Sequence, residues 1–331
     1  MSAPAPPMFS PDAQRVAAGL GLRLGRPNLE VFAETVLELA RADRDVLVVT
    51  SDSRGSGKLG PFAQALPGQV VEVGIAEQNL VGIAAGLASC GKRAFAVSPA
   101  CFLTARALEQ VKNDVCYSDV PAVVVGISAG VSYGALGSTH HSLHDLAALR
   151  AINNVDVVVP ADNTETRSAV RAAATARRPV YLRFGKAPVY TLPGDGFTIG
   201  DARVVRDGGD VAFVATGETV VHALLAAAVL EREGVSSRVL SVHTVKPLDA
   251  AAVLSAARSC RAVVTVEEHS VHGGLGEACA AVLVQAGGRV PVRIVGIPDE
   301  YTVTGSQADI FRHYGITMEG LSRTAREVLA R

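Results

Sequence analysis

Short β-branched bursts alternate with longer amphipathic stretches along most of this chain, and the alternation runs twice. In the first series the strand-like bursts fall at 46–50, 70–73, 93–98, 122–127, 155–159 and 180–184, with helical patterns at 29–42, 76–90, 103–115 and 164–175. The second places bursts at 211–216, 238–242, 262–266 and 292–295, with helical patterns at 220–232, 250–257, 275–285 and 315–331. Strands separated by helices of this length build βαβ units, and so parallel sheets covered on both faces. A Pro- and Gly-rich stretch without helical period, 186–210, parts the two series. The expectation is α/β, two domains: 28–190 and 210–331, joined by a linker over 191–209 and preceded by a flexible arm, 1–27. At 331 residues with 49% hydrophobic and 19% charged, the chain has enough apolar surface for two cores.

Several classes of function are disfavoured. A formal net charge of −1 offers no basic field for nucleic acid or an anionic membrane. The longest apolar run, 120–131, is interrupted by Pro121, Gly126 and Gly130 and is too short to span a bilayer. Five cysteines, odd in number and irregularly spaced, suit reduced thiols better than a disulfide framework. With no signal-peptide pattern at the start, the expected location is the cytoplasm.

The segment 73–87, VGIAEQNLVGIAAGL, is the most informative. On a helix Glu77 shares a face with Leu80, Ala84 and Leu87, which would bury its carboxylate. Equally, it could be a first-turn residue facing water and favoured by the helix dipole. The pattern alone leaves both open.

VEVGIAEQNLVGIAAGLA resembles the pyrimidine-binding domain of transketolase-type thiamine-diphosphate enzymes. The likeness continues through CFLTARALEQVKNDV, YGALGSTHHSLHDLAALR, VVVPADNTETRSAV and PVYLRFGKAPV, then through VHTVKPLD and VEEHSVHGGLGEA of the second series. It implies that Glu77 hydrogen-bonds N1′ of the cofactor's aminopyrimidine and so favours the tautomer that activates thiazolium C2. It also implies that Phe102 stacks on the pyrimidine, with Arg106 and Asp52 as further cofactor neighbours. His140, in the G-x-T-H motif, would meet substrate hydroxyls near the reacting carbon, and Arg183 and Ser56 would bind a substrate phosphate. His141 and His144 are expected to be structural, since no third ligand completes a metal site.

The chain departs from the family pattern at several positions. Ala105 and Leu108 stand where further aromatics are common, and Leu136 where an acid often precedes the histidine. Ser128–Ala129 replace a second substrate histidine, and Asn28, Leu29 and Glu30 a second phosphate arginine. Gly194-Asp195-Gly196 resembles the start of a diphosphate-anchoring metal motif, yet no asparagine follows Asn163 to complete it, so a turn is expected. The run 272–276, HGGLG, is likewise expected to be a tight turn, with Glu267, Glu268, His269 and His272 forming a polar rim.

The resemblance covers pyrimidine-binding and C-terminal domains but no diphosphate-binding domain. The expected role is therefore the C-terminal subunit of a split transketolase. It would share thiamine diphosphate with an N-terminal subunit that holds Mg²⁺ or Ca²⁺, in an α2β2 assembly acting on sugars or sugar phosphates, with no nucleic-acid or membrane partner. Two alternatives stand beside it: the β subunit of a 2-oxo-acid dehydrogenase, and a non-catalytic scaffold or regulatory subunit.

Overall fold

The computed structural model describes residues 7–330. The first half of the chain carries β1 (Leu24–Pro27), β2 (Val46–Thr50), β3 (Val70–Glu72), β4 (Arg93–Pro99), β5 (Val123–Ile127), β6 (Asp156–Val158), β7 (Val180–Arg183) and β8 (Pro188–Tyr190). The second carries β9 (Arg203–Arg206), β10 (Val211–Ala215), β11 (Ser237–Ser241), β12 (Thr244–Lys246), β13 (Ala262–Ser270) and β14 (Val292–Ile297). A seven-stranded sheet has the order β12-β6-β7-β5-β4-β2-β3, and a five-stranded sheet the order β14-β13-β10-β11-β9. Both are parallel except at one edge, where β12 and β9 run antiparallel.

Side-chain alternation explains why both faces of each sheet must be covered. Val48, Phe95, Val97 and Val125 point to one face of the larger sheet, beneath the helices Asn28–Ala42 and Asn163–Thr175. Val49, Ala94, Ala96 and Val124 point to the other, beneath Glu77–Ser89, Ala100–Arg106 and Asp145–Ala151. In the smaller sheet Val211, Phe213 and Ala215 meet one core, while Ala212 and Val214 meet the opposite one.

The structure corrects the expected arm and linker. Within 1–27, residues 1–6 lie outside the described residues, but Pro11–Gly19 is a helix capped by Ser10. It buries Ala13, Val16 and Ala17 in a core shared with the helix Thr219–Glu231. β1 then pairs with β8. The expected linker includes β9, which closes an edge of the second sheet. The helix expected over 103–115 instead breaks after Arg106 and resumes as a short turn and a π-helical segment, Val111–Tyr117. β12 comes from the second half yet completes the first sheet by pairing with β6. No helix among the described residues is long and apolar enough to cross a membrane.

Candidate functional site

Parallel strands deliver the residues that follow them to one edge of the sheet, and that carboxyl edge is where open α/β sheets bind ligands. Asp52 and Ser56 follow β2, Glu77 follows β3, Phe102 and Arg106 follow β4, and His140 follows β5. Strand order also reverses here. From β2 the chain runs to β3 on one side, then returns to β4 on the other.

Glu77 is the first residue of its helix and is only 4% exposed. The two readings of its position are thus both partly right: it lies at the N-terminus, yet faces inward with buried Leu80 and Ala84. Its two carboxylate oxygens accept hydrogen bonds from Arg106 Nη1 at 3.0 and 3.1 Å. The same guanidinium lies 4.5 Å over the Phe102 ring. Phe102 meets His140 edge-on, with ring centroids 5.3 Å apart, and His140 meets Tyr133 edge-on at 5.4 Å. Glu77, Arg106, Phe102, His140 and Tyr133 therefore form one continuous row.

Asp52 is exposed in a left-handed turn (φ 54°) and its N–H donates to Glu72 Oε1 at 2.7 Å. No hydrogen bond joins it to the row. Ser56 is exposed in the next loop, near the half-buried hydroxyl of Tyr133, which also lies beside Ser128.

Arg183 is not an open anion site. It is 6% exposed, and its Nε donates to Asp145 Oδ2 at 2.8 Å. Its Nη2 donates to the carbonyls of Ser142 and Glu268 at 3.1 and 2.9 Å, and Tyr181 donates to the same Asp145 oxygen at 2.7 Å. The arginine joins the two halves of the chain. A ligand phosphate would have to displace a buried carboxylate and two carbonyls to reach it.

The expected polar rim is also corrected. Glu267, Glu268 and His269 are buried, and only His272 is exposed. Glu267 accepts from the N–H groups of Leu275 and Gly276 at 2.7 and 2.8 Å, so a carboxylate of the chain itself fills the helix N-terminus after the HGG turn. Burial pushes Glu267 and Glu268 each up to about 7. Gly194 and Gly196 have positive φ in an exposed turn. His141 is buried and shares hydrogen bonds with Thr302 Oγ1 at 2.7 Å and the Gly134 carbonyl at 3.0 Å, while His144 meets Thr104 Oγ1 at 3.3 Å.

Sequence reasoning missed Tyr133 and Lys186. The Lys186 ammonium lies 4.5 Å over the face of the Tyr133 ring. Both residues also line a cavity of about 720 Å³, with Met8, Phe9, Tyr190 and Gln307, that Glu77, Phe102 and His140 do not reach. The adjacency of 133 and 186 depends on β5 and β7 pairing, which sequence spacing does not reveal.

Comparison with known proteins agrees with this geometry. Residues 27–190 match the family model described as the pyrimidine binding domain of transketolase, and 200–321 match the transketolase C-terminal domain. One of the two subunits of the apulose-4-phosphate transketolase of Phocaeicola vulgatus is 48% identical over 89% of this chain and 95% of its own length. The 6-deoxy-6-sulfo-D-fructose transketolase subunit of a Clostridium species is 37% identical over 91% of this chain and 94% of its own. A solved structure titled as a split gene transketolase, inactive beta4 tetramer, superposes with a TM-score of 0.83 at 36% identity, covering 92% of this chain and 99% of that one. With both domain matches in order, and with relatives this similar along nearly their whole length, the chain belongs to the transketolase family.

Proposed function

We propose that this chain is the subunit of a thiamine-diphosphate-dependent transketolase that supplies the pyrimidine side of the active site. It works with a partner subunit carrying the diphosphate-binding domain, in an α2β2 assembly located in the cytoplasm. The reaction is transfer of a two-carbon ketol unit from a ketose to an aldehyde. The observation that carries this reading is the row of Glu77, Phe102 and His140 along the carboxyl edge of the larger sheet. Relatives named as transketolase subunits, matched over 94–95% of their own length, support the two-chain arrangement.

The residues present fit the cofactor's pyrimidine. A buried carboxylate beside a half-buried aromatic ring suits a flat group that donates an N–H at its rim and stacks through its face. Arg106, planar and N–H-donating, already meets both. When bound, thiamine diphosphate supplies a carbon nucleophile for breaking and making the ketol C–C bond. Glu77 holds or exchanges a proton at ring N1′, and Phe102 fixes the ring plane. Arg106 turns aside to flank the ring, and Asp52 lies on the cofactor side of the same edge. His140, able to donate and accept, moves a proton at the substrate hydroxyls. No group of three or more metal-binding side chains gathers among the described residues, and Mg²⁺ or Ca²⁺ is assigned to the partner.

The relatives are named for a sugar phosphate and a sulfonated sugar, which supports a substrate with an anionic end and Ser56 as one of its contacts. Calorimetric titration with thiamine diphosphate and Mg²⁺ tests the two-chain reading. Binding should be weak for this chain alone and tight with its partner, and ketol transfer should need both. Tight metal-dependent binding by the single chain would overturn it.

A further inference from the structure

With Arg183 locked between Asp145 and two carbonyls, another cation must meet the far end of an anionic sugar. Loops after β2, β5 and β7 converge on Tyr133. Its hydroxyl lies beside Ser56 and Ser128, its edge faces His140, and its face carries the Lys186 ammonium. Lys186 is half-buried, and among the described residues no carboxylate pairs with it. Its nearest charged neighbour is another cation, Lys58, which Glu30 partly neutralises at 3.4 Å.

We propose that Lys186, with Lys58 and Ser56 beside it, forms the subsite for a terminal phosphate monoester on the sugar substrate. The proposal rests on the ketol-transfer reading above. Two arguments carry it. The first is position. Lys186 stands one aromatic ring beyond His140, at the opposite end of the row from Glu77, so a substrate reacting near His140 extends toward it. The second is charge. An ammonium half removed from water beside a second ammonium is unfavourable by itself, and a phosphate of about −1.5 to −2 at neutral pH compensates both. Burial and Lys58 both push the Lys186 pKa down, in keeping with an uncompensated cation. The alternative is a purely structural lysine that props Tyr133 through its ring face.

Two measurements separate these. The assembled enzyme is assayed with D-xylulose 5-phosphate and with D-xylulose as donors. Lys186→Met should lower the ratio of kcat/KM, phosphorylated over unphosphorylated, by about tenfold or more, through KM, as expected for one lost charge-assisted hydrogen bond. Lys186→Arg should restore most of that ratio. An unchanged ratio, with both donors falling together, makes Lys186 a prop and overturns the proposal. The full chain with ¹³C-methylated lysines is also titrated with inorganic phosphate by NMR. The Lys186 signal, identified by its loss in Lys186→Arg, should shift saturably, and an unmoved signal also overturns the proposal. A wild-type assembly that transfers nothing from either donor overturns the ketol-transfer reading instead, and the phosphate titration still decides the subsite.

Discussion

Glu77 is buried at a helix start, with a carboxylate whose hydrogen-bond partner, Arg106, is itself 53% exposed. Removing the arginine leaves a buried carboxylate without a side-chain partner, while its own exposure limits what the pair contributes. Arg106→Ala should therefore lower stability by about 1 kcal/mol, read as a shift in the urea midpoint, and Glu77→Gln should cancel most of that loss in a double-mutant cycle. Additive effects would mean that the contact carries no coupling energy. Glu77→Gln keeps the side chain's shape but cannot exchange a proton with ring N1′. In the assembled enzyme it should slow deuterium exchange at cofactor C2 by roughly 10²–10⁴ while the fold persists. Near-normal exchange would return Glu77 to a structural role. The sequence already placed Glu77 on an apolar face, but Arg106 as its partner required the break after Arg106 that helical periodicity conceals.

Among the elements, those with strong periodicity were legible and those defined by tertiary pairing were not. The strands 46–50 and 211–215 announce themselves through β-branched runs, and their alternating cores follow. The helix Pro11–Gly19 has Val16 and alanines for its apolar face, which reads as a loose segment, although Ser10-Pro11 is a helix-start signal. β12 has only three residues and joins the sheet of the other half, a pairing no local pattern encodes. Arg183 fails as a phosphate reader for the same reason: its partner Asp145 lies 38 positions away, on a different element. Breaking such a buried pair from one side typically costs about 3–5 kcal/mol. Arg183→Met should therefore destabilise the chain on that scale in urea unfolding, because Asp145 stays buried without its cation. A variant that unfolds like wild type but loses phosphate affinity would reinstate Arg183 as a substrate contact.

At the scale of the whole molecule, the two halves meet through titratable groups that ordinary solvent never reaches. Glu218 and Glu268, from the second half, face Asn28, Gly185 and Val131 of the first. Burial, and then the neighbouring Glu268, pushes Glu218 up to about 8, and burial pushes Glu267 and Glu268 up to about 7, from an ordinary 4.5. Burial also drives His222, His243 and His269 down to about 4 from an ordinary 6.5. The two sets act in opposite directions. Between pH 4.5 and 6.5 the unfolded chain holds more protons on the histidines and fewer on the glutamates, so stability gained on one set as pH rises offsets stability lost on the other. Above about pH 6.5 the histidines are neutral in both states and drop out. The glutamates remain protonated only in the folded chain, so stability falls as pH rises through 7 toward 8, then levels once Glu218 ionises. Urea unfolding at a series of pH values should show a decline on the order of 1 kcal/mol per pH unit across that window. Glu218→Gln should flatten its upper part, since a neutral side chain has no proton to lose. A stability that rises from pH 6.5 to 8 would mean that these carboxyls are already ionised in the folded protein, held by Arg183 more strongly than burial opposes them.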